Sequence, residues 1–180
     1  MTEMIVLVMH GAPPKDFPPL ETREYFTLHG ILGEDHAHGH GHSPHVEDAE
    51  RIEIEQRFAK LDERMRNWPR HAGNDPFFAG SETLANELAR ATELEIILAF
   101  NEFCAPSMEG ALDLAVSKGA ERIFAITPMM TSGGGHSEED IPSALAVARE
   151  RHSSVEFIYS WPYPPEKVAQ FLAAQIARFK

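Results

Sequence analysis

The chain reads as a parallel α/β protein, a four-stranded sheet flanked by helices. Two features of the sequence carry that expectation. Short apolar runs rich in branched residues occur at 4–9, 94–100, 122–130 and 155–159, the pattern of strands buried on both faces. From Ser81 onward, helical stretches alternate with those strands to the end of the chain. Such alternation implies parallel strands joined by right-handed helical crossovers.

The first strand, 4–9, is stopped by His10-Gly11 and then Pro13-Pro14. Residues 81–92 predict a helix with Ser81 as N-cap and Leu84, Leu88 and Ala91 on one face. The strand at 94–100 runs into Asn101-Glu102-Phe103-Cys104. A helix over 106–118 has proline near its start and Gly119 just beyond its end. The strand at 122–130 enters Gly133-Gly134-Gly135-His136, and Ser137 is the expected cap of the next helix. Glu138, Glu139 and Asp140 suit the positive end of that helix. A last helix is expected over 164–179.

Between the first strand and the first core helix, residues 12 to about 75 form an insertion of different character. Pro13, Pro14, Pro18 and Pro19 disfavour regular structure at its start. His36, His38, His40, His42 and His45, with interleaved glycines, make a loop that cannot build a core. It offers accessory positions for loosely held nickel, cobalt, copper or zinc. Residues 46–68 predict a helix, because Ile54, Phe58, Leu61, Met65 and Trp68 form one apolar stripe. That stripe requires a partner, in the core or in another subunit. The whole of 1–180 is expected to be one domain carrying this insertion.

Composition narrows the function. A length of 180 residues suffices for a sizeable core. A net charge of −12 argues against nucleic acid as a partner. No apolar run approaches the roughly 18 residues that span a bilayer, so no membrane association is expected. Residues 1–9 read as a strand and not as a signal peptide. The single cysteine, Cys104, fits a reducing compartment, and the cytoplasm is the expected location. Cys104 itself reads as a small buried residue. Met129 and Met130 read as core residues or as the lining of an apolar pocket.

In parallel α/β sheets, ligands bind beyond the carboxyl ends of the strands. His10, Glu102 and His136 each follow such an end, one for each of the first three strands. Two imidazoles and a carboxylate suit a first-row divalent metal such as cobalt, nickel, iron or zinc. They equally suit proton transfer at neutral pH. His10-Gly11 could also belong to a serine hydrolase, but no Gly-x-Ser-x-Gly elbow is present.

Three stretches carry a resemblance: His10-Gly11, Phe100-Asn101-Glu102-Phe103-Cys104-Ala105-Pro106-Ser107, and His136-Ser137-Glu138-Glu139-Asp140-Ile141-Pro142. Their order and setting resemble the sirohydrochlorin cobaltochelatase and ferrochelatase family, the class II chelatases. The third motif is the most specific. The resemblance spans the first eleven residues and roughly 76–163. Two features depart from it. Ala12 stands where the family usually has serine, and the insertion has no matched counterpart.

The resemblance implies a flavodoxin-like chelatase half, with a second copy completing the cleft as a homodimer. It implies a lyase that inserts a divalent metal, cobalt first and iron or nickel as alternatives, into sirohydrochlorin or a related tetrapyrrole. The product would serve cobalamin or sirohaem biosynthesis. His10 and His136 would bind the metal and accept protons, with Glu102 as third member. Gly133, Gly134, Gly135 and Ser137 would receive a macrocycle carboxylate. The metal would be a substrate, and no organic cofactor is expected. The competing reading is a non-enzymatic, histidine-rich metal-binding or delivery protein on the same fold.

Overall fold

The structure, a computed structural model, describes residues 1–37 and 48–180. The expected histidine positions His38, His40, His42 and His45 lie outside the described residues, and of His36 only the backbone is described. In chain order the elements are β1 (Glu3–Met9), α1 (Pro19–Ala37), α2 (Asp48–Arg66), α3 (Pro76–Thr92), β2 (Glu95–Phe100), α4 (Met108–Ser117), β3 (Arg122–Ile126), α5 (Ile141–Arg151), β4 (Glu156–Tyr159) and α6 (Pro165–Ala177). A single π-helical turn, His136–Asp140, leads into α5. The chain forms two compact units, one of residues 1–10, 80–101 and 106–180, the other of 11–79 and 102–105.

The first unit contains the sheet, four parallel strands in the order β2-β1-β3-β4. Met4 to Met9 are all buried, with Val6 and Val8 at 0% exposure, which is why β1 takes the central position with a partner on each side. Its register sets Met9 against Phe100 of β2 and Leu7 against Ile126 of β3. Ala111, Leu112 and Ala115 of α4 and Ile141, Leu145 and Ala148 of α5 complete the core with Ile123, Ala125 and Phe157. Each large aliphatic side chain buried there contributes on the order of 1.5–3 kcal/mol.

Three expected boundaries change. The third strand stops at Ile126 and does not run to 130. Pro128 has no N–H for a ladder, and the pairing with β4 ends at Ala125 with Tyr159. Ser81 is not a cap; it lies inside α3 and is buried. The helix starts five residues earlier than that cap implied, at Pro76, with the Asp75 carboxylate accepting from the Phe78 N–H at 2.9 Å. Ser137 does not cap α5 either: it lies within the π turn, and its hydroxyl donates to the Gly134 carbonyl at 3.0 Å.

The second unit holds a helix that the prolines concealed. Pro18 and Pro19 stand at the start of α1, where a missing N–H is harmless. Arg57 of α2 pairs with Glu24 of α1, and Arg64 with Glu21. Rising numbers on α2 meet falling numbers on α1, so the two helices run antiparallel. The predicted stripe on α2 finds its partner here: Leu61 and Met65 are buried with Phe17, Tyr25 and Phe103, and Phe58 and Trp68 pack against them. Tyr25 is 2% exposed and donates its hydroxyl to Asp62 at 3.0 Å.

Leu112 has 0% exposure in the sheet core. Leu112→Ala should lower stability by about 2–5 kcal/mol through lost burial and the cavity left behind, measured as a shift in the urea unfolding midpoint at unchanged slope.

Candidate metal centre

The chain runs from β1 outward to β2, then returns past β1 to β3 and β4. The direction of winding therefore reverses between β1 and β3. A crevice opens beyond the carboxyl ends of strands at such a reversal. His10 directly follows β1, and His136 ends the loop after β3. Their rings meet edge to face, with centroids 4.9 Å apart and planes at 78°. One ring nitrogen of each lies within 4.8 Å of the other. Two nitrogens on one first-row ion at about 2.1 Å can be at most roughly 4.2 Å apart. A small ring rotation thus brings both into one coordination sphere.

His136 is held from two sides. Its Nδ1 lies 2.5 Å from the Asp140 carboxylate, four residues on. A carboxylate on one ring nitrogen fixes the ring and directs the other toward a metal, a common outer partner of ligating histidines. Behind it, the Tyr159 hydroxyl donates to the Ser137 carbonyl at 2.9 Å. Burial raises the Tyr159 phenol to about 12, so it remains a donor at neutral pH. Trp161 Nε1 donates to the Met129 carbonyl at 3.0 Å, and the Tyr163 hydroxyl to that of Thr127 at 2.7 Å. The segment from the end of β3 through the π turn is therefore tied down by three aromatic side chains of one stretch, 159–163.

The glycine turn has its own carboxylate. Gly133, at φ +93°, gives its N–H to Glu138 Oε1 at 2.8 Å. Ser137 is fully buried and engaged with Gly134. Gly134 and Gly135 are exposed. Met129 packs partly buried against the sheet core.

Glu102 belongs to the second unit, two residues beyond β2. Two backbone contacts fix that short segment. The Asn101 N–H donates to the Met9 carbonyl at 2.9 Å. Gly11, at φ +100°, presses so closely on Glu102 that an added Cβ would lie 1.9 Å from the Glu102 carbonyl oxygen. Only glycine permits both that φ and that approach. The first contact lies within the first unit and the second within the second unit. The Glu102 side chain is 22% exposed.

A buried ion pair braces the same segments. Arg70 and Asp75 meet at 2.5 Å with side chains only 5% and 2% exposed. Arg70 also donates to the carbonyls of Ala12, Met65 and Phe103. Ala12 lies two residues after His10 and Phe103 one after Glu102. Phe103 adopts φ +61°, a strained conformation for a non-glycine residue, and its ring is buried with Tyr25. Cys104 is buried and its thiol is pushed up to about 11 by that burial, which makes it a packing residue and not a nucleophile. Arg70, Tyr159 and Asp140 were not among the residues singled out for the site. Only Asp140 left a local signal, its four-residue spacing from His136.

A doubly wound parallel sheet with an oriented imidazole pair at its reversal point defines an α/β protein suited to holding a small cation or exchanging protons. Residues 79–178, more than half of the chain, match the CbiX family, and the chain belongs to that family. A sirohydrochlorin cobaltochelatase of Priestia megaterium is 38% identical over 63 residues, 35% of this chain. The chain spans about a fifth of that relative's length, 20%. Among solved structures, a cobalamin (vitamin B12) biosynthesis CbiX protein from Marinobacter aquaeolei VT8 aligns over 99% of this chain and 98% of its own, with 13% identity and a TM-score of 0.49. The sirohydrochlorin chelatase SirB from Bacillus subtilis subspecies spizizenii, in complex with cobalt, aligns over 90% of this chain and 44% of its own, with 17% identity and a TM-score of 0.42.

Gly11→Ala should drive the 11–12 and 102–103 backbones apart. The expected loss of stability exceeds about 1 kcal/mol, given a φ that alanine tolerates poorly. Thermal unfolding measures it.

Proposed function

We propose that this chain is a chelatase inserting a divalent metal into sirohydrochlorin or a closely related tetrapyrrole. The observation that carries the reading is the His10–His136 pair, with centroids 4.9 Å apart, at the point where the winding of the sheet reverses. Membership of the CbiX family and the Priestia megaterium relative support it. Insertion exchanges two pyrrole N–H protons for one divalent cation, so the protein must present the ion and take up protons. His10 and His136 do both. Asp140 keeps the His136 ring oriented, so that Nε2 meets the ion. Glu102, on the segment whose backbone Gly11 packs against, is the proposed third member.

Macrocycle carboxylates are received at Gly133, Gly134 and Gly135, all three exposed, beside the buried Ser137. Glu138 competes for the Gly133 N–H. Cobalt is the first choice of metal, because the curated relative is named a cobaltochelatase. Imidazole and carboxylate accept iron and nickel as well. The metal is a substrate, exchanged at each turnover, and cobalamin and sirohaem synthesis are the routes the product could enter. The single cysteine fits work in the cytoplasm.

A second copy of the chain completes the cleft as a homodimer. The support is α6, which has no buried residue and shows Phe171 and Ile176 each 58% exposed beside Leu172 at 52%. An apolar face of that kind commonly marks an interface. Wild type should sediment as a dimer, and Phe171→Glu with Ile176→Glu as a monomer. A monomeric wild type would remove the pairing.

The test of activity is the absorption change of sirohydrochlorin with Co²⁺, Fe²⁺ or Ni²⁺. Enzyme should accelerate it, and His136→Ala should abolish the acceleration; an unchanged rate in that variant would sink the assignment. The histidine run favours a second reading, a metal-binding protein without turnover. Deleting 36–45 separates the two. A chelatase keeps its rate at saturating metal, whereas a holding protein loses most of its bound metal and shows no turnover to begin with.

A further inference from the structure

The backbone at His136 changes step, and the change deprives one buried carbonyl of its helical donor. At the entrance the Glu138 N–H reaches the Gly134 carbonyl, four residues back, at 3.0 Å. By Ile141 the reach is five residues, to the His136 carbonyl. The cause lies at the next position, Pro142. Inside a helical run a proline has no N–H to give, and its ring collides with the carbonyl four residues back. A five-residue step relieves that collision. Carried on by one residue, the same step would bring the N–H of position 142 to the Ser137 carbonyl, and proline has none.

Ser137 is fully buried, so water is kept from that carbonyl, and leaving a buried acceptor unmet is costly. The Tyr159 hydroxyl supplies the donor, at 2.9 Å, from the end of β4. Its ring is held by stacking on Trp161, at 14° with centroids 5.8 Å apart. His136 and Asp140 are the first and last residues of the turn so completed. The register of the turn therefore sets the 2.5 Å approach of His136 Nδ1 to the Asp140 carboxylate. A carboxylate only accepts, so in the neutral ring the proton sits on Nδ1 and the lone pair on Nε2.

We propose that Tyr159 is a positioning residue for the metal centre. By standing in for the donor that Pro142 lacks, it keeps the π turn in the register that fixes the tautomer of His136. Through that tautomer it sets the affinity of Nε2 for a first-row divalent cation, which binds the unprotonated nitrogen of imidazole. Only this last step rests on His136 being a metal ligand, as proposed above.

The test starts from full-length, metal-free protein and the ring ¹⁵N resonances of His136. Wild type should carry the proton on Nδ1. Tyr159→Phe should move it largely to Nε2, the form an unrestrained imidazole favours. Tyr163→Phe loses the same kind of hydroxyl bond, but at the Thr127 carbonyl, and should keep the wild-type tautomer. Titration with Co²⁺ alone, followed by its visible absorption, should give a half-saturating concentration several-fold higher in Tyr159→Phe than in wild type. Tyr159→Phe combined with Pro142→Ala returns an N–H to position 142, and should fold and restore both readings. A wild-type tautomer or wild-type half-saturation in Tyr159→Phe would overturn the proposal. So would an equal loss of the tautomer in Tyr163→Phe, which would mark general loosening, or a double variant that does not recover. His136→Ala, assayed in parallel with sirohydrochlorin and Co²⁺, separates the two levels. If it retains turnover, the proposed centre itself falls; if it loses turnover while Tyr159→Phe matches wild type, only the role of Tyr159 falls.

Discussion

The pairing of β1 with a parallel neighbour on each side is the constraint on which the site depends. A strand in that position must be apolar on both faces, and residues 4–9 are. It must also release the chain at the sheet edge, where the register places Met9 beside Phe100 and Leu7 beside Ile126. His10 therefore emerges where the strands on either side also end. Nothing in the chemistry of imidazole brings His10 to His136. The hydrogen-bonded register does, and the loop after β3 makes the final adjustment.

Such adjustment has a cost, and the structure shows where it is met. Phe103 holds a positive φ, Gly11 accepts an approach that no other residue permits, and Arg70 is buried. Removing a charge from water costs several kcal/mol, offset only by a close counterion and further hydrogen bonds. Arg70 has both: Asp75 as counterion, and the carbonyls of Ala12, Met65 and Phe103 as acceptors. The guanidinium fork can gather three carbonyls from separate segments because its donors lie in one rigid plane. An apolar side chain of the same size could fill the space without fixing those segments.

Legibility in the sequence followed how local each signal was. The four strands were plain, because a run such as Ile5-Val6-Leu7-Val8 has no other comfortable environment. His10 and His136 could be placed at strand ends for the same reason, and the α2 stripe was clear from its spacing. The α1 helix was hidden because its apolar residues are not gathered on one face and two prolines precede it; Tyr25 is buried only through the partner helix. Ser81 and Ser137 have the chemistry of caps, but tertiary burial overrode that preference and turned both inward. Arg70 left no signal at all. Its role exists only once residues 12, 65 and 103 are side by side, which no spacing along the chain announces.

A metal that is substrate and not cofactor places opposite demands on a site. Structural metal sites are closed, with four protein ligands and slow exchange. The His10–His136 pair is open, with His10 exposed and His136 partly so. On the proposed reading that openness is functional, since an ion held by few neutral ligands can be surrendered to four pyrrole nitrogens. Precision then has to come from outside the ligand set. Asp140 aims one ring, Tyr159 anchors the backbone beside it, and Gly11 seats the Glu102 segment by close packing. Rigidity in the supports and weakness in the grip are compatible because different residues supply them. The surrounding hydrogen bonds can therefore be strong without the metal being retained.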